Sequence, residues 1–364
     1  MSSSVATNAR ATGNQSNRPP RLHHTTLREI ASSTLSAVET GSYELDGVIH
    51  DLAESIQFLK QNTEFYSPDS ELSQWSTVPG ATPSSETKIS LIETTTLDGS
   101  RRLSTYLASA QTDSKVVGVL NFASAKNPGG GFIRGAQAQE ESIARSSTIY
   151  PSLITPTAKR FYASHKKDPK AGYYSHAMIY SPRVALIRED RGAWMVPIEV
   201  DVLTSPAVNT GVVRRQLRPR KKKDETEEDN NANDEDDAAE GNDSDNHDQT
   251  EPAGGPVVTE AELEARIEAA MRERMARILY LFEKKGVKNL VLGSFGTGVF
   301  KNKVDMVARL WVELLLGKKE GEELQKARFA RSFDRVFFAV IHEPTFKTFV
   351  RVFEEGGVGV VNDL

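Results

Sequence analysis

Three consecutive glycines, Gly129, Gly130 and Gly131, are followed after a spacer of seven residues by Gln139, Glu140 and Glu141. Adjacent carboxylates are suited to general acid/base work, in which one group carries a proton to or from a reacting atom. A helix start favours the same pair through its dipole, so Glu140-Glu141 alone has two readings. The segment Asn127-Pro128-Gly129-Gly130-Gly131-Phe132 adds a second signal. Three glycines are costly to order, but they permit positive φ and close backbone approach, and successive N–H groups can point at an anion. A floppy turn is the plainer alternative. A second glycine loop, Gly293-Ser294-Phe295-Gly296-Thr297-Gly298-Val299-Phe300, has small residues, free N–H groups and a helix start behind it, as a phosphate cradle needs. It is not a P-loop, because Val299-Phe300 follows Gly298 where Lys-Ser/Thr would stand, and Lys301 replaces the third glycine of a dinucleotide fingerprint.

Elements that would position these loops are legible on either side of them. Residues 116–123, VVGVLNFA, are a continuous apolar run of strand length, as expected of a strand buried on both faces. Further strands are expected at 88–92, 178–187 (one broken strand or two short ones), 196–203, 289–293 and 335–341. Thr26 to Glu29 reads as a capping box opening a helix that stops at Gly41, and Thr259 to Glu262 as another, opening a helix that Gly286 ends. Val304, Val307, Leu310, Trp311, Leu314 and Leu315 form a helical stripe stopping at Gly317. Pro344 suits the first turn of a last helix. Strands separated by helices predict an α/β fold with a mixed, mostly parallel sheet and helices on both faces. Ligands of such sheets bind outside the strand carboxyl ends, where both glycine loops fall.

The run VLNFASAKNPGGGFIRGAQAQEES resembles the signature of poly(ADP-ribose) glycohydrolases, and ILYLFEKKGVKNLVLGSFGTGVFKNKVDMVARLWVELL resembles the matching segment of the microbial-type members. The resemblance spans about 22–213 and 257–355 and implies a macrodomain fold, an α/β/α sandwich. It implies that Glu141 protonates the departing ribose oxygen and then activates water, that Glu140 bonds ribose hydroxyls, that Gln139 holds the carboxylate segment and that Asn127 holds the distal ribose. Gly129 to Gly131 with Phe132, and Gly293 to Gly298 with Val299, would wrap the diphosphate, and Phe295 or Phe300 would pack on a ribose or the adenine. Glycosidic cleavage fits these roles, because its oxocarbenium-like transition state needs a protonated leaving oxygen and nearby negative charge. The implied activity is hydrolysis of ribose–ribose bonds in poly(ADP-ribose), without a cofactor. A reader that binds ADP-ribose without cutting would not need the Glu pair. A hydrolase of another ADP-ribosyl bond would share it.

Composition bounds the rest. The chain has 364 residues, 38% hydrophobic, and no cysteine, which excludes disulfides and thiolate–metal sites and points to a reducing nucleus or cytoplasm. No run of 18 apolar residues suggests a membrane span. His23-His24 reads as a solvated pair, and no spacing of His with carboxylates suggests a metal site. Residues 1–20 read as a disordered tail. Residues 214–223 hold seven Lys and Arg and no acid, and residues 224–251 hold fourteen Asp and Glu and no base. The stretch 214–256 therefore reads as a disordered insert within one domain formed by 21–213 and 257–364. Its basic half would serve as a nuclear localisation signal, a polyanion contact or neither. Without those two blocks the net charge of −5 becomes about +2, so steering of a polyanion by net charge is weak. The expected partners are poly(ADP-ribose) or ADP-ribosylated proteins, with no direct DNA readout, and the expected state is a monomer.

Overall fold

The computed structural model describes residues 22–80, 86–110, 112, 114–167, 172–215, 258–320 and 323–357. The expected N-terminal tail lies outside the described residues, as does the insert from residue 216 to 257. Its first two expected residues do not belong to it. Arg214 and Arg215 close the helix Thr210–Arg215, and Arg214 is ion-paired with Glu264 at 2.6 Å.

A seven-stranded sheet organises the chain, in the order Glu64–Tyr66, Met178–Arg188, Trp194–Ser205, Val117–Phe122, Asn289–Leu292, Arg335–Ala339, Lys88–Ile92. The last five run parallel, while Met178–Arg188 is antiparallel to both of its neighbours. The apolar run expected to be buried on both faces is the central strand. Val117 and Val119 enter one core cluster and Leu120 the other, as the period of two requires. One face carries the helices Glu260–Lys284, Val304–Leu315 and Glu343–Glu355, packed through Met275, Leu279, Trp311, Phe349 and Phe353. The other carries His24–Thr40, Thr96–Ser109, Gln139–Ser146 and Pro156–Lys167, through Ala31, Leu103, Ile143 and Phe161. Helices on both faces of a mostly parallel sheet are the expected α/β fold.

Some local expectations need correction. The first helix begins at His24, not after Thr26. The ring of His23 accepts the Thr25 N–H at 3.3 Å and so does the capping that Thr26 was expected to do. The Thr259 capping box is present, with the Thr259 hydroxyl accepting from Glu262 N at 3.2 Å and the Glu262 carboxylate accepting from Thr259 N at 2.9 Å. The segment 178–187 is one strand with a register shift between Ser181 and Val184, where Pro182 cannot donate and Arg183 has φ of 55°. The hairpin Ser42–Leu45/Val48–Asp51 and the helix Thr96–Ser109 had no expectation in the sequence.

Candidate active site

The central strand ends at Phe122, and the chain turns at once into the first glycine loop. Ser124 Oγ accepts the N–H groups of Lys126 at 3.3 Å and Asn127 at 3.1 Å, and the Asn127 carbonyl accepts from Gly130 N at 3.0 Å. Gly129 and Gly130 both have positive φ, 69° and 59°. Such a turn is cheap only for glycine. From outside, the His24 ring N–H donates to the Gly135 carbonyl at 3.0 Å, and Arg28 Nε to the Arg134 carbonyl at 3.0 Å. His24 is exposed, as expected, and it also braces this loop.

Gln139, Glu140 and Glu141 are the first three residues of the helix Gln139–Ser146. Gln139 clamps that helix to the central strand: its Oε1 accepts from Phe122 N at 2.8 Å, and its Nε2 donates to the Leu120 carbonyl at 2.7 Å and to Thr96 Oγ1 at 3.2 Å. Both carboxylates point into the glycine turn. Glu140 Oε2 accepts from Ser124 N at 2.7 Å, and Glu141 Oε1 accepts from Gly131 N at 2.9 Å. Glu140 is 2% exposed and Glu141 9%. The remaining oxygens, Glu140 Oε1 and Glu141 Oε2, are buried and make no hydrogen bond of good geometry among the described residues, although the Asn121 side chain and the Gly129 N–H lie near enough to Glu140 to favour its charged form. Two aimed carboxyl oxygens without partners are costly to bury, and they ask for hydrogen-bonding partners from outside the chain. Burial, reinforced by the charge of Glu141, raises the Glu140 carboxyl well above its ordinary range, and the Ser124 N–H offsets this only in part. Arg145 is in the same helix, buried, and bonded to the Ala136 carbonyl at 2.7 Å. Burial lowers its affinity for the proton, while the Glu141 charge acts in the opposite direction.

The second loop leaves the neighbouring parallel strand, so both glycine loops emerge at one edge of the sheet. They touch through Phe122 and Phe295, whose rings are 5.5 Å apart. Gly293 and Gly296 face the protein. A Cβ on Gly293 would stand 2.6 Å from the Ala339 carbonyl, and Asn302 Nδ2 braces the loop by donating to Val208 O at 2.8 Å and Gly296 O at 3.0 Å. Thr297 folds back onto the Ser294 carbonyl through both its N–H (3.1 Å) and its hydroxyl (2.9 Å). The outer part, Gly298, Val299 and Phe300, is different. No heavy atom lies within 4 Å of a Cβ on Gly298, Val299 is 68% exposed, and the three N–H groups donate no backbone hydrogen bond within the described residues.

The structure thus brings Asn127, Gly129, Gly130 and Gly131 of the turn against Gln139, Glu140 and Glu141 of the helix start, with Gly298, Val299 and Phe300 on the adjoining loop. Phe132 and Phe295 are enclosed in the core and offer a ligand no ring face as they stand; Phe132 packs on Tyr150 with ring centroids 5.1 Å apart. Ser124, whose N–H binds Glu140 and whose Oγ caps the turn, is not singled out in the sequence, because the contact to Glu140 is made by backbone. Tyr174 stands against Phe300 at 6.0 Å between ring centroids; the pair Tyr173-Tyr174 is visible in the sequence but not its placement. Among the described residues no group of His, Cys, Asp and Glu is arranged to hold a metal, and no helix is long and apolar enough to cross a membrane.

Known proteins resemble this chain in both sequence and structure. Residues 31–189 match the family described as "Microbial-type PARG, catalytic domain", a span that contains the first loop and the Glu pair but not the second loop. The poly(ADP-ribose) glycohydrolase structure from Thermomonospora curvata is 32% identical with a TM-score of 0.68, and the match covers 90% of this chain and all of that one. The same enzyme bound to the inhibitor ADP-HPD matches with a TM-score of 0.66 over 90% of this chain and 99% of that one, again at 32% identity. A poly(ADP-ribose) glycohydrolase from Deinococcus radiodurans in complex with ADP-ribose is 29% identical with a TM-score of 0.61, covering 86% of this chain and 99% of that one. No curated protein matches.

Proposed function

The chain belongs to the poly(ADP-ribose) glycohydrolase family, and from that membership we propose how its own residues carry out the reaction. The protein is a glycohydrolase that cleaves poly(ADP-ribose). Glu141 is the acid/base, a role carried by its place as the last carboxylate of the Gln-Glu-Glu run, anchored on the glycine turn. Oε1 accepts the Gly131 N–H, which leaves the proton to Oε2, the buried oxygen without a partner. That proton passes to the ribose oxygen as the glycosidic bond breaks, and the bonding electron pair leaves with that oxygen. A water then adds to the oxocarbenium carbon and returns a proton to Glu141.

Glu140 bonds ribose hydroxyls through its free Oε1 and fixes the sugar against the acid. Asn127, at the exposed rim of the turn, orients the ribose beyond the scissile bond. The open N–H groups of Gly298, Val299 and Phe300 receive the diphosphate, as backbone nests receive anions, and the first glycine turn lets it approach closely while its own Gly130 and Gly131 N–H groups hold Asn127 O and Glu141. The ADP-ribose and ADP-HPD held by the related structures support this reading, and so does the helix-flanked, mostly parallel sheet, which suits a macrodomain-type site. Incubation with poly(ADP-ribose) of defined length tests it. Release of free ADP-ribose is expected, and saturable binding of ADP-ribose with no product from any chain would leave only a reader. The same digest distinguishes trimming from the end, which yields monomers throughout, from internal cutting, which yields oligomers first.

The basic run beginning at Arg214 is the basis for a nuclear location of the enzyme alongside a cytoplasmic one. A tagged chain whose distribution is unchanged when the run 216–223 is replaced by Gly-Ser would remove that idea.

A further inference from the structure

Arg274 lies within the helix Glu260–Lys284 and is completely enclosed, with 0% exposure. Burial, with the charge of Arg277 nearby, lowers its pKa to about 9, so it remains a cation at neutral pH. Among the described residues its guanidinium meets no carboxylate; it donates to carbonyls instead. Nη1 reaches Pro206 O at 2.9 Å, and Nη2 reaches Tyr173 O at 2.8 Å and Tyr174 O at 3.3 Å. A cation buried without a counter-charge is costly, and an apolar side chain would fill the space more stably. What Arg supplies and an apolar residue does not is a rigid fork of donors that bridges two backbone segments at a set angle.

Those two segments are far apart in sequence and meet at the ligand edge of the sheet. Pro206 follows the strand Trp194–Ser205, and Tyr173-Tyr174 precedes the strand Met178–Arg188. Close to the guanidinium, Asn209 N donates to Gly172 O at 2.7 Å. Tyr174 is held at φ of 53°, a conformation unusual for a tyrosine, and its ring stands against Phe300. The Phe300 backbone is tied to the same junction, because its carbonyl accepts from Thr210 N at 3.0 Å and Thr210 Oγ1 at 2.7 Å. Tyr174 and Phe300 are both partly exposed.

We propose that Arg274 is a positioning residue of the ADP-ribose site: its buried guanidinium locks the Tyr173-Tyr174 segment to the loop after Ser205 and so sets the Tyr174–Phe300 ring pair as a wall for the nucleoside part of the ligand. The proposal rests on the reading that the second glycine loop receives ADP-ribose. The carboxylates sit in a different turn, held by Gln139, Ser124 and Gly131, so loss of the fork affects binding more than chemistry.

Calorimetry with ADP-ribose and steady-state kinetics on poly(ADP-ribose) test this with Arg274→Lys, Tyr174→Ala and the double variant. Arg274→Lys keeps the charge and loses the fork; its Kd for ADP-ribose is expected to rise about tenfold while kcat falls by less than about threefold. In the Tyr174→Ala background the same change should cost less than about twofold, because the ring it positions is gone. A merely structural arginine would give equal losses in both backgrounds, and that result, or wild-type affinity in Arg274→Lys, overturns the proposal. If Arg274→Lys does not fold, Gly172→Ala perturbs the same junction with the cation intact. Gly172 has φ of 94°, and its Cβ would stand 2.8 Å from Asn209 O. Its Kd should rise with the same dependence on Tyr174, and an unchanged Kd counts against the proposal equally. Failure of the wild-type protein to bind ADP-ribose would instead remove the underlying reading of the site.

Discussion

A Cβ on Gly130 would overlap the Glu141 carboxylate, whereas a Cβ on Gly296 would overlap the Ala207 methyl and one on Gly298 would meet nothing within 4 Å. These glycines come from two loops that leave adjacent parallel strands at one edge of the sheet. In the first loop, glycine at position 130 makes room for the Glu141 carboxylate. In the inner part of the second, it lets the loop lie on its own scaffold, and only at the outer tip does it leave backbone open to a ligand. Glycine richness next to a strand end therefore does not by itself identify a phosphate cradle. What each missing side chain would touch separates a site glycine from a scaffold glycine.

Substitutions that add one methyl group test this difference. The largest effect is expected for Gly130→Ala. Besides the overlap with Oε1, its Cβ would lie 2.8 Å from Glu141 Cδ, so the carboxyl must move. Turnover of poly(ADP-ribose) should fall at least about 10²-fold, the scale of a displaced catalytic group. The positive φ adds a stability loss of about 1–2 kcal/mol. Turnover within about threefold of wild type would show that the turn tolerates a side chain and that the carboxylate is not pinned there. Gly296→Ala should behave in the opposite way. Its φ is 76° and its Cβ collides with packed atoms, so a loss of about 2–4 kcal/mol in urea denaturation is expected, with kcat of the folded fraction nearly unchanged.

A smaller effect, with a definite sign, concerns Glu140. Burial raises its folded-state pKa above the ordinary 4.5, so its preference for the protonated form stabilises the fold below about pH 4.5, and this is lost as pH rises through the raised value. Glu140→Gln is neutral throughout. It should therefore be more stable than wild type at about pH 8, with the gap closing as pH falls toward 4.5. A gap that does not change with pH would mean that the Glu140 carboxyl is not held in its neutral form. The smallest effect belongs to Gly298→Ala, where stability should stay within about 0.5 kcal/mol, since φ is ordinary and the space is open. A larger loss would make the outer tip scaffold as well.

The sequence shows the parts of this arrangement that have a periodicity or a composition. The central strand is recognisable because burial on both faces leaves only apolar residues in Val117 to Leu120. The Thr259 capping box is recognisable because the reciprocal bonds need two specific side chains. Glu64–Tyr66 is too short to have a period, and in Thr96–Ser109 the helix contains Gly99 and several serines and threonines that obscure the apolar stripe of Leu97, Leu103 and Leu107. The Gly-Gly-Gly and Gln-Glu-Glu runs were visible as site residues. Ser124 was not, because it holds Glu140 through its N–H, which every residue but proline has, and the turn it caps with its Oγ is common for serine. Arg274 was hidden for another reason. Its spacing from Met271 and Ile278 puts it on the buried face of the helix, but its charge suggests solvent until its carbonyl partners are seen.

The most direct test of the site is Glu141→Gln. The amide keeps an oxygen to accept the Gly131 N–H and replaces the unpartnered Oε2 with a group that cannot supply a catalytic proton. If Glu141 is the acid/base, turnover of poly(ADP-ribose) falls by about 10² to 10⁴ while the Kd for ADP-ribose stays within about threefold of wild type. Near-wild-type turnover in that variant would contradict the mechanism.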